Sequence, residues 1–342
     1  MIRYQIRAAT PADQDDLLEL ARFLDSVNLP NDAGAIAEIL DLSQRSFNGA
    51  IANPRRREYV FVLRDLEQKR AVGTSMVIGQ LGRKDAPYIY FDVLEEEKYS
   101  ATLDRHFIHQ VLSIGYSYNG PTEIGGLVMH PEYRRAPERL GMLISYVRFL
   151  WIATHRADMR DNILAELLPP LEADGTSHLW EAVGRHLTGL SYREADRLSK
   201  KNKEFIRGLF PEGEIFASLL SPEAQAVIGK TGPQTRGVEK LLRRIGFRYA
   251  NRVDPFDGGP HFIAPTDDIV LVQRARKGAI AIGKAAGQRR ALVAREHREA
   301  PFFECVASPL EITGDGALLV PEDAARALGV VTGDEIAVLP LA

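Results

Sequence analysis

Residues 223–237 read EAQAVIGKTGPQTRG, and residues 246–260 read GFRYANRVDPFDGGP. Between them, residues 236–245 repeat apolar side chains at helical spacing and stop at Gly246, the residue type best suited to the turn after a helix. The spacing predicts a shorter helix over 222–228 before this segment and a strand over 247–253 after it. Asp257-Gly258-Gly259-Pro260 then forms a turn at the strand end, with His261 directly behind it. Gly232, between the two helices, carries no titratable group, so its side chain can do no proton chemistry.

Working outward, residues 4–8 read as a strand. Thr10-Pro11-Ala12-Asp13 supplies an N-cap threonine, proline at the first helical position and an acidic first turn. The helix it opens carries Leu17, Leu18, Leu20, Ala21 and Leu24 at helical spacing. A turn-rich loop over 28–32 leads to a second helix over 33–49. Residues 57–64 (REYVFVLR) and 71–80 (AVGTSMVIGQ) pair across a charged turn as a hairpin. A further strand is expected over 123–129 (EIGGLVM) and a long helix over 141–153, with HPEYRRAPERLG between them. A strand over 164–168 and helices over 177–186 and 203–209 follow. The Arg/Lys/Ala-rich stretch 271–302 reads as a linker or exposed excursion. Residues 303–342 alternate around a short helix at 321–328 and read as a small C-terminal β unit. The expected organisation is therefore a core over 1–270, with possible sub-lobes 1–160 and 161–270, then linker and appendage.

With 342 residues, the chain is long enough for two or three packed units. A net charge of −3 gives no bulk attraction to nucleic acid or anionic membrane. The single cysteine, Cys305, excludes an intrachain disulfide and fits a reducing, cytoplasmic setting. Apolar runs such as 142–153 are too short for a membrane span. No metal site is expected.

The quoted strings resemble the end of the acyltransferase core in the arginine N-succinyltransferase family, a branch of the GCN5-related N-acyltransferases. The resemblance covers residues 2 to about 268 and is carried also by SQRSFNG, YVFVLRD and GFRY. It implies an α/β (α+β) fold, with a mostly antiparallel mixed sheet flanked by helices. It further implies transfer of an acyl group, possibly succinyl, from acyl-CoA to a small amine such as an amino acid. No cofactor is held permanently; acyl-CoA is a co-substrate. In the family, VIG-x-V-H-P-x-T places a proton-handling histidine where this chain has Gly232.

The phosphate-loop frame of the family is matched by His130-Pro131-Glu132-Tyr133-Arg134-Arg135 and by a helix beginning at Gly141-Met142. The resemblance assigns CoA to Leu127, Val128 and Met129 on the strand, to Arg134, Arg135 and Arg139 in the loop, and to Gly141 and Met142. Backbone amides and a helix N-terminus suit a pyrophosphate, and Arg139 stands at a family glycine position. For chemistry the candidates are His261, Glu166 and Tyr133. An ordinary histidine pKa would suit a base at neutral pH, the alternative being an exposed loop histidine. Glu166 matches a family glutamate beside the acyl site, or pairs a buried arginine. Tyr133 is placed to reprotonate a thiolate, or merely covers the loop. Residues 178–186 read as helix packing. Asn28 and Asp257 are the substrate-binding candidates; in the loop over residues 24–30 the family's Thr-Ser is replaced by Val27-Asn28.

Three readings stay open: a transferase on a small amine, a catalytically silent paralogue serving as a partner subunit, and a transferase for longer acyl chains or lipid-like amines. A homo-oligomer or a paralogous partner is expected in each case.

Overall fold

Asp13 fixes how the chain leaves its first strand. One carboxylate oxygen accepts from the amide and the hydroxyl of Thr10 at 2.8 and 3.0 Å, and both oxygens pair Arg7 at 2.7 Å. This buried, bidentate pair turns Tyr4–Ala8 through a short 3-10 turn at Pro11–Asp13 into the helix Gln14–Ala21. The helix thus begins a turn later than the capping motif suggests, and Leu24 and Val27 lie outside the described residues. The computed structural model describes residues 2–23, 28–83, 86–172, 174–199, 202–284, 290–314 and 316–341.

Two compact units are assembled from alternating stretches of chain. The first comprises Met1–Gly79, Thr122–Asp161 and Thr266–Ala342; the second comprises Gln80–Pro121 and Asn162–Pro265. The sequential sub-lobes expected from the sequence are therefore not the units that form. A split by chain order fails because residues 80–121 leave the first unit and return to it.

In the first unit the strand order is Glu311–Ile312, Leu318–Val320, Arg276–Ile282, Glu335–Pro340, Arg290–Glu296, Phe303–Pro309, Tyr4–Ala8, Glu58–Asp65, Arg70–Ile78 and Thr122–Met129. All recorded pairings are antiparallel except that of Arg276–Ile282 with Leu318–Val320. The expected order of strand, two helices and antiparallel hairpin is present at its N-terminal end. Helix Leu140–Thr154 is apolar nearly all round and accordingly buried, with the Ser75 hydroxyl donating to Ile144 O at 2.7 Å. No helix among the described residues is long and apolar enough to cross a membrane.

Residues 271–302 are not a linker. They supply Arg276–Ile282 and Arg290–Glu296, and Ala291, Leu292, Val293 and Ala294 are buried. A strand covered on both faces shows no alternation, and the basic residues at its ends mimic a solvated segment. Nor is the tail an appendage. Phe303–Pro309 pairs with Tyr4–Ala8 on one side and Arg290–Glu296 on the other, so the chain's two ends share one sheet.

The second unit orders its strands as Asn162–Glu166, Pro260–Pro265, Arg248–Val253, Tyr88–Ser100, Arg105–Ser117 and Ile215–Phe216, all antiparallel. Its long hairpin, Tyr88–Ser100 with Arg105–Ser117, lies in a stretch the sequence reading leaves unassigned. A core of Phe91, Leu112, Leu179, Trp180, Ile206 and Val253 fills one face. Trp180 stacks on Phe256 at 5.0 Å, and Leu179, Trp180 and Val183 pack in this core, whereas Arg185 and His186 are exposed.

A chain ending at Pro301 lacks the strand that joins Tyr4–Ala8 to Arg290–Glu296 and the C-terminal strands beyond it. It is expected to lose the cooperative unfolding transition of the full chain, as read by circular dichroism during urea titration. A truncated chain with a full-length midpoint would contradict this role.

Candidate active site

The turn after strand Arg248–Val253 closes on itself. Asp254 N donates to Gly259 O and Gly258 N to Asp254 O, each at 2.9 Å. Inside it, Asp254 accepts from Phe256 N and Asp257 from Gly259 N, both at 2.7 Å. Trp180 and the Ser177 hydroxyl, which donates to Phe256 O at 2.8 Å, anchor the turn from below. Residues 167–169 are gripped beside it. Leu167 N donates to Pro260 O at 3.1 Å, Gly232 N to Leu168 O at 2.8 Å, and the Thr235 hydroxyl to the same oxygen at 2.9 Å. A Cβ on Gly232 would lie 2.5 Å from Pro169 O, and one on Gly259 would lie 2.3 Å from Leu167 O. Neither position accepts a side chain, so a histidine cannot be restored at 232 by substitution alone.

This clamp sets His261 opposite Glu166 in the antiparallel register of Pro260–Pro265 with Asn162–Glu166. Pairing with Arg248–Val253 slips between Pro260 and Phe262, an irregularity that re-aims the side chain between them. His261 is fully buried, 0% exposed, and not the exposed loop residue of the alternative reading. Its Nδ1 lies 2.6 Å from the Tyr88 hydroxyl, and its Nε2 lies 3.6 Å from Glu166 Oε1, beyond hydrogen-bond reach. Nε2 has no hydrogen-bond partner among the described residues. Asp254 completes the group: one ligand atom each from Glu166, Asp254 and His261 all lie within 4.8 Å of one another.

Burial governs the protonation states. It pushes the His261 pKa down to about 3, with the positive charges of Arg252 and Lys203 adding to the effect. The expectation of an imidazole base near neutrality is corrected: His261 is a neutral ring. Burial raises Asp254 to about 6, against the amide bond from Phe256. It raises Asp257 well above the usual carboxylate range, helped by the neighbouring charge of Asp254. Tyr88 is likewise held protonated by burial and by the charge of Glu166. Where Tyr88 donates to Nδ1, the ring proton sits on Nε2 and faces Glu166; where Tyr88 accepts from Nδ1, the Nε2 lone pair faces it instead.

Of the residues singled out in the sequence, His261 and Glu166 are brought together. Asp257 is buried with one oxygen on the amide of Gly259, so it shapes the turn. Tyr133 belongs to the first unit, where its hydroxyl donates to Asp65 at 3.1 Å. Asn28, in the same unit, donates to Glu123 at 2.7 Å. Leu127, Val128 and Met129 end strand Thr122–Met129, the latter two buried, and Arg134 Nε donates to Met129 O at 3.1 Å. Arg135 is exposed. Arg139 stands at the helix N-cap with φ 58°, left-handed backbone that favours the glycine of the resembling family. Gly141 and Met142 lie in the first turn, and nothing stands within 4 Å of a Cβ on Gly141. Tyr88 and Asp254 join the site without being singled out by the sequence. Asp254 lies inside DPFDGGP, whose polar residues read as turn chemistry. Tyr88 opens the strand Tyr88–Ser100, to which the sequence reading assigns no element.

The family described as arginine N-succinyltransferase beta subunit matches residues 4–271. The chain is 31% identical to an arginine N-succinyltransferase of Yersinia enterocolitica, over 98% of this chain and 97% of the relative. It is 29% identical to the beta subunit of arginine N-succinyltransferase from Pseudomonas aeruginosa, over 98% of each. The solved structure of arginine/ornithine succinyltransferase subunit AI from Pseudomonas aeruginosa is similar at a TM-score of 0.84, with 26% identity and 99% of both chains covered.

The depressed pKa of His261 has a direct readout. An unfolded histidine titrates near 6.5, so the folded-state benefit of a neutral ring is complete above that pH. It is lost as pH falls from about 6.5 toward about 3, because the unfolded chain takes up the proton first. Asp254, raised to about 6, contributes the opposite slope between about pH 4 and 6. The ring resonance is therefore a cleaner probe than melting temperature. The nuclear magnetic resonance signal of His261 should stay that of a neutral imidazole from pH 8 to 5; a midpoint near 6.5 would contradict its burial.

Proposed function

Because the chain belongs to the arginine N-succinyltransferase family, we propose that it moves a succinyl group from succinyl-CoA to the α-amine of arginine or a closely related cationic amine. The observation that carries the chemistry is the convergence of Glu166, Asp254 and His261 on one point. An amine reaches a thioester only after its ammonium form loses a proton, and a carboxylate beside it both holds the cation and accepts that proton. Glu166, one-third exposed, and the partly buried Asp254 fill this role, with His261 held by Tyr88 as a fixed wall and dipole.

The free amine then attacks the thioester carbon, the tetrahedral intermediate collapses, and CoA leaves as a thiol once protonated. Gly232 contributes no proton here, which is why the reading assigns the step to the cluster. Tyr133, engaged with Asp65, is given no proton-transfer role. In this reading the CoA pyrophosphate lies at the N-terminus of helix Leu140–Thr154, against the amides of Leu140 and Gly141, since Met142 N and Leu143 N already donate to Arg139 O at 2.9 and 3.2 Å. Neither the silent-subunit reading nor the long-acyl reading gains an observation in its favour.

The test is release of CoA thiol from succinyl-CoA with a panel of amines, with the product identified by mass. Arginine or ornithine is expected to be succinylated. Glu166→Gln and Asp254→Asn should each lower kcat by about 10²–10⁴-fold, the range for loss of a general base, with CoA affinity unchanged. A chain that binds succinyl-CoA and turns over no amine would reject the proposal in favour of the silent subunit.

A further inference from the structure

His261 Nε2 is a polar atom with no exposure and no hydrogen-bond partner among the described residues. Leaving such an atom unsatisfied carries the desolvation penalty of a buried polar group. It is aimed at Glu166 Oε1, 3.6 Å away, and Asp254 supplies a second carboxylate, all three ligand atoms lying within 4.8 Å of one another. The ring also has the outer support seen behind metal-bound histidines: its far nitrogen is 2.6 Å from the Tyr88 hydroxyl, which can accept the Nδ1 proton. In that tautomer the Nε2 lone pair faces Glu166 Oε1, and a cation between them would satisfy both.

We propose that Glu166, Asp254 and His261 form a site for one divalent transition-metal ion, with zinc the best match to one imidazole nitrogen and two carboxylate oxygens. Ligand atoms on a tetrahedron with bonds of about 2.0–2.2 Å stand about 3.4 Å apart. The 3.6 Å between Nε2 and Oε1 already has this spacing. The wider separations, up to 4.8 Å, close by rotation of Glu166, whose side chain is 33% exposed. Two carboxylates and a neutral ring balance the ion's double charge, and a water or an incoming donor fills the fourth position. Bound metal and the substrate's ammonium need the same oxygens, so they exclude each other; this consequence alone rests on the transferase reading.

Equilibrium dialysis of the full chain against Zn²⁺, and the visible d–d absorption of added Co²⁺, read the site without reference to turnover. One ion per chain is expected, lost in Glu166→Gln and His261→Asn and bound about 10- to 100-fold more weakly in Tyr88→Phe. Glu166 is partly exposed, so its variant keeps the fold and guards against a false loss from misfolding at His261. Zn²⁺ binding of equal strength in wild type and Glu166→Gln, or none in either, would overturn the site. Where the transferase reading also holds, Zn²⁺ inhibits competitively against the amine and not against succinyl-CoA. Stoichiometric metal with no turnover of any amine supports the site and removes only the transferase reading.

Discussion

Three stretches of backbone meet in the second unit with no room for a side chain between them. Residues 167–169 pass between Gly232 and Gly259, each within 2.5 Å of a carbonyl oxygen at the point where a Cβ would stand. Hydrogen bonds from Gly232 N and Thr235 to Leu168 O, and from Leu167 N to Pro260 O, hold the three in place. A single methyl group would force one strand end away from another, since packed interiors relax only partly. This contact fixes the register of Glu166 against His261, and through the closed turn it sets Asp254 beside both. The site's chemistry follows from that register.

The cost of the arrangement is paid in polar burial. A ring nitrogen without a partner, a tyrosine held protonated and two carboxylates pushed toward neutrality lie within one small region. Perturbed groups gathered in this way are the usual mark of a functional site rather than of a packed core. The first unit contrasts with this. There the buried Arg7–Asp13 pair is fully matched in a bidentate geometry. The buried Arg148 donates to Ser145 and to Gly125 O. Those groups serve structure; beside His261 it is the ring nitrogen Nε2 that lacks a hydrogen-bond partner among the described residues.

Much of the fold was legible because local rules and global pairing agree. The capping residues at Thr10 and Asp13, the strand pair on either side of residues 65–69, and the helix closing at Gly246 all appear near their expected positions. The misreadings have one physical cause. Arg290–Glu296 is buried on both faces and flanked by arginines, so it shows neither alternation nor an apolar boundary. The pairing of the tail with Tyr4–Ala8 joins residues about 300 apart, and no local pattern encodes it. The site was half legible. His261 and Glu166 were found through a motif, but the burial that makes His261 a poor base depends on Tyr88, which arrives from a distant hairpin. Gly232 read as a lost function; the structure shows it as a packing requirement.

Gly232→Ala tests that requirement most directly, with Gly237→Ala as its internal control. A Cβ on Gly232 meets Pro169 O at 2.5 Å, whereas one on Gly237, in helix Arg236–Arg244, meets nothing within 4 Å. Urea unfolding should show Gly232→Ala destabilised by about 1–3 kcal/mol, the cost of overpacking, with succinyl transfer falling as Glu166 leaves His261. Gly237→Ala should be neutral or more stable by about 0.5–1 kcal/mol, as expected for alanine in a helix. Equal stability and equal rates in the Gly232→Ala and Gly237→Ala chains would contradict the clamp and the site built upon it.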